Sequence, residues 1–94
     1  MKVALDFDET ITLDPLFWVA FIHMARASNH EVAIVTSRSP IGDNFDVASF
    51  ADDADVEVIF CNGDQKATRH TADVWIDDKP ESIPTYSKLH VELA

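Results

Sequence analysis

The chain has 94 residues, of which 47% are hydrophobic and 26% charged, with two Gly and four Pro. Seventeen acids against seven bases give a formal net charge of -10, a field that repels phosphate backbones and makes nucleic-acid partners unlikely. No apolar run approaches the ~20 residues of a membrane span, and Met1-Lys2 leads into a strand without a signal-peptide layout. The lone cysteine, Cys61, has no internal disulfide partner, so a reducing, cytoplasmic setting is expected. The length suits one domain, residues 1-94, with one modest core.

In chain order, Lys2 to Leu5 reads as a short buried strand that runs into Asp6-Phe7-Asp8-Glu9-Thr10. Side chains in a strand alternate with period two, so Asp6 and Asp8 share a face or crown the strand's carboxyl end. Asp14 reads as an N-cap with Pro15 at the first helical position. The helix over about 15–28 carries Leu16, Phe17, Val19, Ala20, Phe21 and Met24 as a broad apolar face. Phe17 and Trp18 are expected in the core, with one of them able to lean over an open site and stack a base. Glu31 to Val35 forms a second strand, ending in Thr36-Ser37-Arg38-Ser39-Pro40.

A weaker helix over about 43–53 is expected to bury Phe45, Val47, Ala48 and Phe50. Val56 to Phe60 is a third strand, Asn62-Gly63-Asp64 is turn chemistry, and Gln65 to Thr71 suggests a short helix. Asp73 to Ile76 is a fourth strand closing on Asp77-Asp78-Lys79-Pro80. Beyond Ile83, the alternation of Leu89, Val91 and Leu93 fits a last strand. Strands separated by helical stretches imply βαβ units with right-handed crossovers. The expected fold is α/β, three-layer and Rossmann-like, with a small parallel sheet of about four strands in the order 4-1-2-3.

All strands of a parallel sheet end at one edge, which is where ligands bind in open α/β folds. That edge gathers Asp6, Asp8 and Thr10, then Thr36, Ser37 and Arg38, then Asp77 and Asp78, with Lys66 opening the short helix before the fourth strand. Two carboxylates ~5 Å apart repel by about 3 kcal/mol at an effective dielectric of ~20, so four of them call for a cation. Hard oxygen ligands beside hydroxyls fit Mg²⁺. A cation, an ammonium, hydroxyls and a carboxylate placed to attack together describe a phosphate site.

Plainer readings exist for each residue. Asp6 and Asp8 could sit on a solvated turn, Asp77-Asp78 could cap a helix before Pro80, Lys66 could be an ordinary surface lysine, and Thr36 could merely end a strand. Arg38 divides evenly between a contact to substrate anions or a base and a solvated loop residue. Asp52, Asp53 and Asp55 read as a solvated acidic edge. Cys61 and the four histidines have no ligand spacing.

D-F-D-E-T, the strand ending in Thr36, Lys66 near a helix start, and Val74-Trp75-Ile76-Asp77-Asp78 together resemble the four motifs of the haloacid dehalogenase-like superfamily, in the same order. The resemblance spans Asp6 to Asp78. It implies that Asp6 is the nucleophile forming an aspartyl-phosphate, and that Asp8 protonates the leaving alcohol and then activates water. It implies that Thr36 and Lys66 bind the phosphoryl group, and that Asp77 and Asp78 hold Mg²⁺ with Asp6 and the backbone carbonyl of Asp8. Thr10, Ser37 and Arg38 complete the expected substrate contacts. Glu9 stands where the family usually has glycine, as in some phosphatase branches. Asp8, which dehalogenases lack, favours phosphoryl chemistry.

Only 27 residues separate Asp8 from Thr36, and 29 separate Thr36 from Lys66, too few for the cap domain that many relatives insert. A minimal, capless phosphatase or 5'-nucleotidase-like member is implied, its open site served by short loops, a large substrate or a second copy of the chain. The substrate expected is a nucleotide or another small phosphorylated metabolite, with nucleic-acid ends or phosphoproteins as the alternative. A signalling receiver domain is disfavoured, because the third strand ends in Phe60-Cys61-Asn62 without an acid. A catalytically inactive phosphate- or Mg²⁺-binding or assembly module of the same fold remains the other reading.

Overall fold

The computed structural model describes residues 1–84 and the backbone of a further strand at 89–92. The strands are β1 (Lys2–Leu5), β2 (Glu31–Thr36), β3 (Glu57–Phe60), β4 (Val74–Asp77) and β5 (Leu89–Glu92), and the α-helices are α1 (Pro15–Ala27) and α2 (Phe45–Ala54). Every pairing is parallel: β1 with β2 and β4, β2 with β3, and β4 with β5. The sheet order is β3-β2-β1-β4-β5. It differs from the expected four-strand order 4-1-2-3 by a fifth strand outside β4, built from the alternating tail. Leu93 lies outside the described residues.

Parallel strands buried on both faces favour continuous β-branched and aliphatic runs, and Ala33-Ile34-Val35 and Val3-Ala4-Leu5 are buried throughout. Alternation splits β1, β2, β3 and β4 between two cores. Val3, Leu5, Ile34 and Ile76 join Trp18, Ile22, Val47, Ala51 and Ala54 of the two helices. Ala4, Val35, Cys61 and Trp75 meet Ile83, Ala67 and Ala72 on the other face. Both α-helices therefore cover one face, while 3₁₀ turns at Lys66–Thr68 and Pro80–Ser82 and their flanking loops cover the other.

The expected short helix at 65–71 is replaced by that first 3₁₀ turn. Residues 61–73 carry the chain from β3 past β2 and β1 to β4, three strand spacings or roughly 14 Å at ~4.8 Å each.

Helix register also departs from expectation. Asp14 caps α1, its Oδ1 accepting from the Phe17 N–H at 3.3 Å. The buried stripe is Trp18, Ile22 and Ala25, at i, i+4 and i+7. Leu16, Phe17 and Met24, expected on the apolar face, are exposed. In α2 the buried stripe is Val47, Ala51 and Ala54 with Phe50 half-buried, leaving Ala48 outside and Phe45 80% exposed at the helix start. Among the described residues no helix is long and apolar enough to cross a membrane.

Fully buried Ile34 and exposed Phe45 should respond oppositely to truncation. Ile34→Ala is expected to cost about 2–5 kcal/mol in urea denaturation and Phe45→Ala within about 0.5 kcal/mol. Equal losses at the two positions would contradict this division of core and surface.

Candidate active site

The strand order turns back at β1, whose neighbours β2 and β4 lead away on opposite sides. Such a switch point leaves a crevice at the carboxyl ends of the strands. Asp6 follows β1 directly and its N–H donates to the Ile76 carbonyl at 3.0 Å, so the turn is anchored to β4, which ends in Asp77.

Between the two carboxylates lies Lys66, only 1% exposed. Its Nζ donates to Asp6 Oδ1 at 2.8 Å and to Asp77 Oδ2 at 2.6 Å. The other Asp6 oxygen, Oδ2, accepts from the Thr10 hydroxyl at 3.1 Å. Asp77 Oδ1 accepts from the Lys79 N–H at 2.9 Å, and the Ser82 hydroxyl approaches Oδ2 at 3.4 Å. Among the described residues no buried side-chain polar atom lacks a partner.

Asp6, Lys66, Asp77, Lys79 and Ser82 line a cavity of about 160 Å³ with Asp8, Glu9, Ser37 and Asp78. Of the expected site residues, Asp6, Asp8, Ser37, Lys66, Asp77 and Asp78 thus share one depression. Thr10 is buried beneath it on Asp6. Thr36 is also buried, its hydroxyl accepting from the Arg38 N–H at 3.2 Å. Arg38 turns to Asp8, donating from Nε to Oδ2 at 2.9 Å and from Nη2 to Oδ1 at 2.7 Å.

Sequence reasoning did not single out Lys79, Ser82 or Asp46. The first two enter through the tight turn after β4, where Pro80 following Asp77-Asp78 is the signal that could have marked it. Asp46 holds Arg38 from the first turn of α2, a proximity set by how the helix docks.

Glu9, standing where the resembled motif carries glycine, has φ 62. That left-handed backbone costs a residue with a Cβ about 1–2 kcal/mol. Its N–H donates to the Thr12 hydroxyl at 2.9 Å, which ties the strained turn down.

Asp6, Asp77 and Asp78 each offer a carboxylate oxygen, and these atoms lie within 4.8 Å of one another. Three hard oxygen donors around a single ammonium leave negative charge uncompensated, a donor set that could hold a divalent metal. Burial pushes Asp6 up from 3.8 to about 7; Lys66 pulls it back, and Asp77 and Asp78 add to the rise. Burial alone would lower Lys66, but the carboxylates of Asp6 and Asp77 outweigh it and raise its pKa. Burial likewise raises the Cys61 thiol, which leaves it a packing group of the second core.

Because Asp6 binds its proton more tightly folded than unfolded, the native state holds more protons between the two values. Stability contributed by the neutral acid is present at low pH and lost as pH rises from 3.8 to about 7. Metal-free protein should lose on the order of 3 kcal/mol across that window relative to Asp6→Asn, read by denaturant titration at several pH values. Parallel pH profiles for the two proteins would exclude Asp6 as the buried acid responsible.

No family model, curated protein or solved structure matches this chain.

Proposed function

We propose that the chain is a Mg²⁺-dependent phosphate monoester hydrolase of the haloacid dehalogenase-like type, working through an aspartyl-phosphate on Asp6. One observation carries the reading: Asp6, 7% exposed at the end of the central strand, is held by Lys66 and Thr10 at the wall of a cavity that Asp8 also lines.

An acyl phosphate splits one difficult displacement into two easier ones. A carboxylate oxygen of Asp6 attacks phosphorus, the ester P–O bond breaks, and a proton on Asp8 passes to the departing alcohol oxygen. Water then attacks the aspartyl-phosphate, gives a proton back to Asp8, and releases inorganic phosphate as the bond to Asp6 breaks. Lys66 neutralises charge where it builds up. A Mg²⁺ held by Asp6, Asp77 and Asp78 would supply a Lewis acid that offsets the charge of the carboxylates and phosphoryl oxygens.

The cavity is smaller than the ~300–1,000 Å³ of sites that enclose a whole ligand. It suits a phosphoryl group whose leaving group lies outside. The chain between Asp8 and the start of β2 holds only a 3₁₀ turn and α1, so no domain is inserted there to cover the opening. A nucleotide or small phosphorylated metabolite is the substrate class proposed; a cytoplasmic setting and a nucleic-acid-free role accord with one cysteine and a charge of -10.

Exposed Leu13, Leu16, Phe17, Ile41 and Phe45 lie in the segments where the chain leaves the carboxyl edge for α1 and α2. This apolar rim supports a second copy of the chain covering the opening. Light scattering should then show a dimer or larger assembly whose activity falls on dilution; a monomer equally active when dilute removes this covering role.

Phosphate release from nucleotides, sugar phosphates and phosphopeptides, with Mg²⁺ or EDTA, tests the activity itself. Turnover should require the metal and fall by a factor on the order of 10³ or more in Asp6→Asn. Metal binding without turnover of any substrate would favour an inactive binding module instead.

A further inference from the structure

Behind the proton carrier of the proposed reaction stands a carboxylate that the reaction itself does not use. Asp46 lies in the first turn of α2. Its Oδ1 accepts from Arg38 Nη1 at 2.6 Å and its Oδ2 from Nη2 at 3.0 Å. Oδ1 also accepts from the Val47 N–H at 2.8 Å, which fixes the carboxylate to its own helix.

On its other side the same guanidinium grips both oxygens of Asp8, and its carbon sits 5.2 Å from the centre of the Phe7 ring. All three guanidinium nitrogens are engaged by these two carboxylates, and of the five N–H groups of an arginine only one on Nη1 is left over. A planar fork held from two sides and stacked on a ring has little freedom. Asp8, by contrast, sits on a turn with half its side chain exposed.

We infer that Asp46 is a positioning residue: through Arg38 it fixes the Asp8 carboxyl over the cavity, and Arg38 serves this clamp instead of binding substrate. The inference rests on the phosphatase reading and specifies how its proton donor is aimed. A donor must come within about 3 Å of the oxygen it protonates, and the two-sided fork supplies that aim from α2, outside the cavity.

The dependence on leaving group separates aiming from folding. Phenyl phosphate releases a weakly acidic phenol, with a pKa near the ~10 of tyrosine, and needs the proton; p-nitrophenyl phosphate releases a much better leaving group and needs it less. In Asp46→Asn, kcat/KM for phenyl phosphate should fall roughly tenfold, within the ~10²–10⁴ that general acid–base catalysis supplies, and that for p-nitrophenyl phosphate less than about threefold. Inhibition by inorganic phosphate should be unchanged.

Arg38→Lys should show the same selective loss, since an ammonium cannot make the fork. Asp43→Asn is the control for the start of α2. Asp43 Oδ1 accepts from the Phe45 N–H at 3.2 Å without bonding Arg38, and both esters should be turned over as in wild type. Equal losses on the two esters, no loss, or weakened phosphate inhibition in Asp46→Asn would overturn the clamp alone. A wild type inert toward both esters and toward the nucleotides, sugar phosphates and phosphopeptides removes the phosphatase reading and the clamp with it.

Discussion

A single buried ammonium, Lys66 between Asp6 and Asp77, is the interaction on which the rest of this molecule depends. Charges removed from water cost several kcal/mol each unless closely paired and fully hydrogen-bonded. Here Thr10, Ser82 and the Lys79 N–H take up remaining carboxylate lone pairs. The ion group also joins the ends of β1 and β4, so a site stands where two strands must in any case be held together. Deleting the lysine would leave two buried carboxylates without their shared cation, whereas deleting one carboxylate leaves a satisfied pair. Stability and chemistry thus bear unequally on the three members.

The sheet topology explains why these groups converge. With β1 central and the order reversing across it, two strand ends open side by side without a helix between them. Both α-helices cover one face, and the long crossing from β3 to β4 brings Lys66 across the other. In that crossing Lys66 sits on a 3₁₀ turn pinned by the Ala67 N–H to Ile83 carbonyl bond of 2.7 Å. The rigidity of the lysine comes from this tie and from its two carboxylates.

Much of the fold was legible because short apolar runs alternated with capped helical stretches. The Asp14-Pro15 helix start and the strands containing Val3, Ile34 and Ile76 were marked by local chemistry. The helix faces were misread where apolar residues surround a helix. Leu16, Phe17 and Met24 share α1 with Trp18 and Ile22, and periodicity cannot choose among them without the sheet. Phe45, expected on the buried side of α2 with Val47 and Phe50, is the first residue of that helix and is exposed. At the site, acids next to strand ends could be read from spacing, and the common edge of a parallel sheet brought them together. The Arg38 bridge to Asp46 could not be read, since it depends on the docking angle of α2, which no local pattern encodes.

The pairing of β1 with β4 joins residues some seventy positions apart, reinforced where the Lys2 N–H donates to Asp73 Oδ2 at 2.8 Å and the Asp73 N–H to the Lys2 carbonyl at 2.9 Å. Contacts of such separation form only after a large loop has closed and are kinetically late. On the helix-covered side, β1, α1, β2, α2 and β3 can gather through nearer contacts first. The crevice between Asp6 and Asp77 exists only once β4 has docked. Without β4 in place the acids would lie apart, with neither the buried lysine nor a shared cation site, so whatever chemistry the crevice performs depends on a contact between the two ends of the described chain.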